Sequence, residues 1–201
     1  MHDLLFRGAR LIDGSGAPAR LADVAVDAGL ISAICDAEHA DQRPAARHVV
    51  ECGGLVLAPG FIDAHTHDDA LMLEKAPLQQ AHPKLSQGVT TVVIGNCGIS
   101  LAPLDAAVHH ELPPPLNILK REAFRFTSVA AYLDALAAQP PVCNVVTLLG
   151  HTSLRVKHLP DLQQEASAKQ AAAMAAEVGA ALQQGAWGLS TGVFYPPARA
   201  A

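Results

Sequence analysis

Residues 89–96 read VTTVVIGN. A run of β-branched residues with no polar face forms a strand that is covered on both sides, as strands are in parallel sheets flanked by crossover helices. That run restricts the second part of the chain to an α/β architecture, and its surroundings agree. GFIDAHT at 60–66, VCNVVTLLGH at 142–151 and AWGLSTGV at 186–193 are further strands. Between them fall helical stretches: pieces within 71–87, interrupted at Pro77 and Pro83, a helix at about 128–138, and another at 166–184. In the last of these Met174, Val178 and Leu182 lie four apart on one face before Gly185 stops the turn. Strands alternating with helices predict a partial (β/α)8 TIM barrel, about its first four strands, over residues 58–201. An open four-stranded α/β sheet is the plainer alternative.

Residues 1–57 have a different grammar. LLFRGARLI, ADVAVDAGLISAI and HVVECGGLVLAPG are short β runs separated by Gly, Asp and Pro, as in DGSGAP. They predict a small β subdomain built as an antiparallel sheet.

Half of the chain's 201 residues are hydrophobic and 16% are charged, a globular composition with enough apolar surface for a sizeable core. A net charge of −5 without a run of Lys or Arg argues against nucleic acid or an anionic membrane surface as partner. The opening MHDLLFRGARLIDG places Asp3 and Arg7 inside its apolar stretch, unlike a signal peptide, and no window approaches the roughly 20 apolar residues of a membrane span. A cytoplasmic protein is expected. Cys35, Cys52, Cys97 and Cys143 are irregularly spaced with no Cys-x-x-Cys pair, so free thiols are expected.

The chemistry concentrates in APGFIDAHTHDD, residues 58–69. A hydrophobic strand gains nothing by ending in imidazoles and carboxylates unless something binds them. His65 and His67 stand two apart, so on an extended strand both rings leave one face, and in a parallel barrel that face opens at the catalytic, C-terminal end. Two neutral imidazoles there make two thirds of a zinc site, against the alternative of strand-end histidines bonded to loops. Cys97, directly after the buried strand in VVIGNCGIS, faces the same mouth as a soft thiolate ligand. A buried inert cysteine and a cysteine nucleophile are the alternatives, but no motif places a general base beside it. His151, after the third strand, is either a ligand or a hydrogen-bonded strand-end histidine.

Four stretches, GFIDAHTHDD, SQGVTTVVIGNCGISLAPL, LLGHTSLR and GAWGLSTGVFYPPARAA, in order along the chain, resemble the N-acyl-D-amino-acid deacylase (D-aminoacylase) branch of the amidohydrolase superfamily. The most specific element is Asn-Cys-Gly, since this branch uses a cysteine where hydantoinases and dihydroorotases use a carbamylated lysine. The resemblance implies a Zn2+ enzyme on a (β/α)8 barrel, with a β subdomain built from both chain ends. It would hydrolyse N-acyl-D-amino acids to a carboxylate and a free D-amino acid. His65 and His67 would line one metal position, and Cys97 would bind zinc at the other or bridge the two. Asp63 and Asp68 would orient the imidazoles; Asp69 is as well suited to capping a helix. Arg155 and Tyr195, just after the third and fourth strands, would meet the substrate's carboxylate or acyl carbonyl, or else serve in packing.

The resemblance also implies a longer parent. Two further histidine ligands and the catalytic aspartate that shuttles the proton come from later strands in this branch, beyond residue 201, so no catalytic residue is expected within the chain, and the chain alone is expected to be inactive. The alternatives are an amidohydrolase acting on a cyclic amide and a non-catalytic truncated product.

Overall fold

The computed structural model describes residues 1–37, 44–74, 83–109 and 112–199. Its contacts divide the chain into two units, Met1–Pro59 and Gly60–Ala201.

The first unit is a sheet of β1 (His2–Leu11), β2 (Arg20–Asp27), β3 (Leu30–Asp36), β4 (Ala46–Glu51) and β5 (Val56–Leu57). β1, β2 and β3 form an antiparallel meander. The turn from β2 to β3 places Ala28 and Gly29 at φ 48° and 78°, the pair of positive values that lets two residues reverse a right-twisted hairpin. The expectation of an antiparallel sheet needs correction beyond this point, because β4 and β5 both pair parallel to β1. β1 is thereby bonded on both edges, and the sheet is mixed. Leu11, Ala22 and Val24 form its small core, with Phe6 and Leu57 packed against them.

The second unit holds β6 (Phe61–Asp63), β7 (Val89–Ile94), α1 (Val129–Ala138), β8 (Asn144–Gly150), α2 (His151–His158), α3 (Ala168–Gln183), β9 (Gly188–Ser190) and the short α4 (Pro196–Arg199). Its four strands are parallel and lie in chain order, β6-β7-β8-β9, which is the topology of a curled half-barrel. The apolar run within residues 89–96 is β7, with Val92 and Ile94 fully buried. Around them pack Met72, Ile99, Leu101, Leu104, Leu116, Phe124, Tyr132, Leu149 and Leu154. Buried aliphatic and aromatic side chains of this size are worth about 1.5–3 kcal/mol each, so this cluster carries the unit.

The helices begin where local chemistry permits. Ser128 accepts the Ala131 N–H at 3.2 Å to start α1, and Ser167 with Gln170 forms a reciprocal capping box at α3. On α3 Met174 is buried and Val178 half-buried, but Leu182 is exposed and Ala181 takes its place against the core. Two expectations shift. The third strand ends at Gly150, so His151 is the first residue of α2; the fourth strand shrinks to three residues. Of the helical pieces expected over 71–87, the structure has 3-10 turns at Leu71–Leu73 and Leu85–Gln87; Pro77 lies outside the described residues.

Among the described residues β6 and β9 each pair on one side only. Phe61 and Ile62 are 69% and 67% exposed, and Trp187 and Leu189 at the other edge 78% and 50%, which is the surface that further strands and helices of a barrel would cover. No helix of the described residues is long and apolar enough to cross a membrane.

Candidate metal centre

β6 stops at Asp63 because the Asp63 carboxylate accepts the N–H of His65 at 3.2 Å and turns the chain out of the strand. His65 and His67 therefore sit on the loop beyond the strand. Their rings still converge, with centroids 5.8 Å apart and planes at 84°. Cys97 occupies the 3-10 turn Asn96–Gly98 that follows β7, and its Sγ lies 3.1 Å from His65 Nε2. One donor atom from each of His65, His67 and Cys97 lies within 4.8 Å of the others, a spacing that could hold a metal ion.

The loop and the turn are fastened to each other by residues whose role the sequence reading did not isolate. Asn96, buried beside the cysteine, donates from Nδ2 to the carbonyls of Val93 at 2.8 Å and Thr66 at 3.4 Å, while the Thr66 N–H donates to Val93 O at 3.3 Å. Thr66, the residue between the two histidines, is thus pinned to the end of β7. On the other side Ser190 of β9 spans the turn. Its Oγ donates to Gly95 O and accepts the Gly98 N–H at 3.0 Å. Cys97 sits between these anchors at φ 56°, ψ 21°, a left-handed conformation that costs a non-glycine residue on the order of 1–3 kcal/mol and persists only where the surroundings enforce it. Gly95 precedes it at φ 79°, with its α-carbon so close to the next strand that a Cβ would lie 2.1 Å from Leu148 O.

The electrostatics suit metal-donor groups. Burial, and then the neighbouring His65, push the His67 imidazole below its ordinary value, towards the neutral form that ligates. Among the described residues His67 Nδ1 is buried with no hydrogen-bond partner, a costly state that a bound cation would relieve. The Asp63 carboxyl is held below the usual range, first by Lys84 and then by the His65 N–H. Lys84 Nζ also lies 3.3 Å from Asp68 Oδ2. Asp69 is pushed up to about 7 by burial; its backbone carbonyl accepts the Tyr132 hydroxyl of α1 at 2.8 Å. Asp69 caps no helix through its side chain, since the 3-10 turn that follows has no side-chain cap.

The structure brings His65, His67 and Cys97 together. It sets Asp63 and Asp68 beside them, facing Lys84. Tyr195 is near the turn as well: a Cβ on Gly192 would meet both Cys97 O, at 2.5 Å, and the Tyr195 ring, at 2.7 Å. Arg155 is elsewhere in character. It is fully buried, and its guanidinium donates to the carbonyls of Pro197, Leu162 and Gln164, at 2.5, 3.2 and 2.8 Å. Buried in this way, with Nε and Nη2 turned to backbone oxygens, Arg155 is in a setting that suits packing, the second of the two roles expected of it. His151 Nδ1 lies 3.1 Å from Thr191 Oγ1, a hydrogen bond outside the three-donor cluster.

An N-acyl-D-aspartate deacylase of Alcaligenes xylosoxydans xylosoxydans is 50% identical over 200 residues, which is 99% of this chain and 38% of the relative. The crystal structure of a D-aminoacylase, described as defining a novel subset of amidohydrolases, superposes with a TM-score of 0.90 at 46% identity over 100% of this chain and 40% of its own. An N-acyl-D-glutamate deacylase of Bordetella bronchiseptica, solved with zinc and a phosphonate mimic of the tetrahedral intermediate, superposes at 0.88 with 42% identity, again over 100% and 40%. The chain thus spans about two fifths of the length of the proteins that it matches. The model of the amidohydrolase family matches residues 48–201, and with three quarters of its length inside that match the chain belongs to the amidohydrolase family.

Proposed function

We propose that this chain contributes the β subdomain and the first, metal-binding half of the barrel to a zinc-dependent hydrolase that cleaves the linear amide of N-acyl-D-amino acids. The observation that carries the reading is the convergence of His65, His67 and Cys97 within 4.8 Å at the strand ends of a half-barrel. Its likeness to N-acyl-D-amino-acid deacylases, one of them solved with zinc, supports both the substrate class and the metal. Four free cysteines fit a reducing, cytoplasmic setting.

The donor set suits zinc: two imidazoles, one of them held neutral by burial, and a thiol that becomes a thiolate on binding. A zinc ion bound there supplies Lewis acidity towards the amide carbonyl. The chain's own residues do the rest of the positioning. Asn96 holds the histidine loop against β7, Ser190 holds the cysteine turn, and Asp63 orients His65 through its backbone N–H. Tyr195, whose ring lies near the turn, would meet the substrate's carboxylate or acyl carbonyl. The proton-shuttling aspartate and two further histidines belong to later strands of a complete barrel, so activity requires that barrel.

The test is zinc content and hydrolysis of N-acetyl-D-amino acids, measured in parallel on this chain and on a full-length version. The full-length protein is expected to be chelator-sensitive and selective for D-substrates, and this chain inactive. Replacing Cys97 with Ala should remove the tightly bound zinc together with activity. Equal turnover of L-substrates, or stoichiometric zinc in the Cys97→Ala protein, would overturn the reading.

A further inference from the structure

Lys84 lies in the short segment before β7 and is part of neither the cysteine turn nor the histidine loop. Its ammonium nevertheless grips both flanks of that loop. It donates to Asp63 Oδ2 on one side and stands 3.3 Å from Asp68 Oδ2 on the other, and the side chains of all three residues are only 21–26% exposed. The residues between the two carboxylates include both His65 and His67. From the structure we infer that Lys84 is a positioning residue for the metal centre, drawing the two ends of the histidine loop onto one cation so that the imidazoles face Cys97 before any ion arrives.

The mounting of Lys84 makes this more than a surface ion pair. Its backbone carbonyl accepts the N–H of Val89, the first residue of β7, and of Gln87, both at 3.0–3.1 Å. The same turn receives β6, through the Phe61 N–H bond to Gly88 O at 2.8 Å. The base of Lys84 is therefore fixed to the start of β7, while the far end of β7 leads into Cys97. One strand gauges both halves of the site: its beginning sets the histidine loop through Lys84, and its end sets the thiol. Without the ammonium, the two carboxylates would lose the charge that they share, and their repulsion would spread the loop.

The inference rests on the three-donor reading of the site, and cobalt(II) titration separates the two. Cobalt(II) bound by a thiolate shows a sulfur-to-metal charge-transfer band, and its visible bands report the symmetry of the other ligands. Residues that orient ligands from behind typically change metal affinity by about 10–100-fold, so Lys84→Met is expected to weaken cobalt binding by about tenfold or more. The charge-transfer band should persist at saturation, because Cys97 is untouched. Lys84→Arg, which can still take two carboxylates, should recover affinity to within about threefold of the original. Asp68→Asn alone should loosen binding in the same direction, and it carries the test if circular dichroism shows Lys84→Met to be unfolded. In the double variant the losses should be less than additive, since both substitutions break one contact. Affinity unchanged in Lys84→Met, or unchanged in Asp68→Asn where that variant decides, overturns the role of Lys84 alone, as does Arg failing to rescue. Absence of the thiolate band in the unsubstituted protein overturns the ligand reading and this inference with it.

Discussion

Replacing Gly95 with Ala probes the contact on which the cysteine turn depends. Gly95 has φ 79°, and a Cβ built there lies 2.1 Å from Leu148 O, 2.9 Å from Leu148 C and 3.1 Å from Leu148 N. These are backbone atoms of the adjacent strand β8, so no rotamer change can relieve the clash. Holding an L-residue in the left-handed region costs about 1–2 kcal/mol, and overpacking that moves backbone typically costs another 1–3 kcal/mol. A total loss of about 2–5 kcal/mol is expected, a large share of the roughly 5–15 kcal/mol that holds a domain. Urea unfolding followed by far-ultraviolet circular dichroism measures it, because the helices of the described residues all lie in the second unit. The midpoint should fall with little change in slope. A loss below about 1 kcal/mol would refute the reasoning, since it would mean that β7 and β8 separate there without cost.

Three further outcomes follow from other contacts. Ser190→Ala strands the Gly98 N–H and the Gly95 carbonyl together, and should cost about 1–3 kcal/mol in the same assay; a loss below the error of the measurement would remove Ser190 from the scaffold. Gly179→Ala has the opposite sign: Gly179 lies inside α3 with nothing among the described residues within 4 Å of its Cβ position, so the variant should be more stable by about 0.5–1 kcal/mol, and destabilisation would contradict it. Asp27, held down to about 2 first by its hydrogen bond to His2, contributes stability that is present above the ordinary carboxylate value of 3.8 and is lost as pH falls from there towards 2. An NMR titration of its carboxyl carbon should show a midpoint near 2, and a midpoint at the ordinary value would refute the contact.

What could be read from the chain was what depends on near neighbours. The apolar run of β7 and the helical spacing of α3 are local patterns, and both elements appear where those patterns fall. Leu182 missed the core by one position because periodicity marks a stripe and packing decides its edge. The direction of β4 depends on where the chain re-enters the sheet after β3, which no local signal encodes. Eight residues of α2 went unseen because a helix that starts at His151, after Gly150 with no side-chain cap, has no opening signal. At the site the donors were visible as residue types, but their scaffold was not. Ser190 acts on Gly95 and Gly98 across 95 and 92 residues, and Lys84 on Asp63 across 21. For Arg155, expected either to meet substrate or to pack, the burial against backbone carbonyls is likewise set by distant parts of the chain and has no local signal.

The open edge of β6 affects the order of assembly. In a closed eight-stranded barrel the free side of the first strand is met by the last, so the strand that leads into His65 and His67 is the final one to gain its second neighbour. Until then it is steadied from the β7 side, through β7 itself and through Lys84, Gly88 and Asn96 in the segments that flank it. The ligand loop is thus organised from one side of β6 only, and its arrangement in this chain does not depend on a neighbour at the open edge.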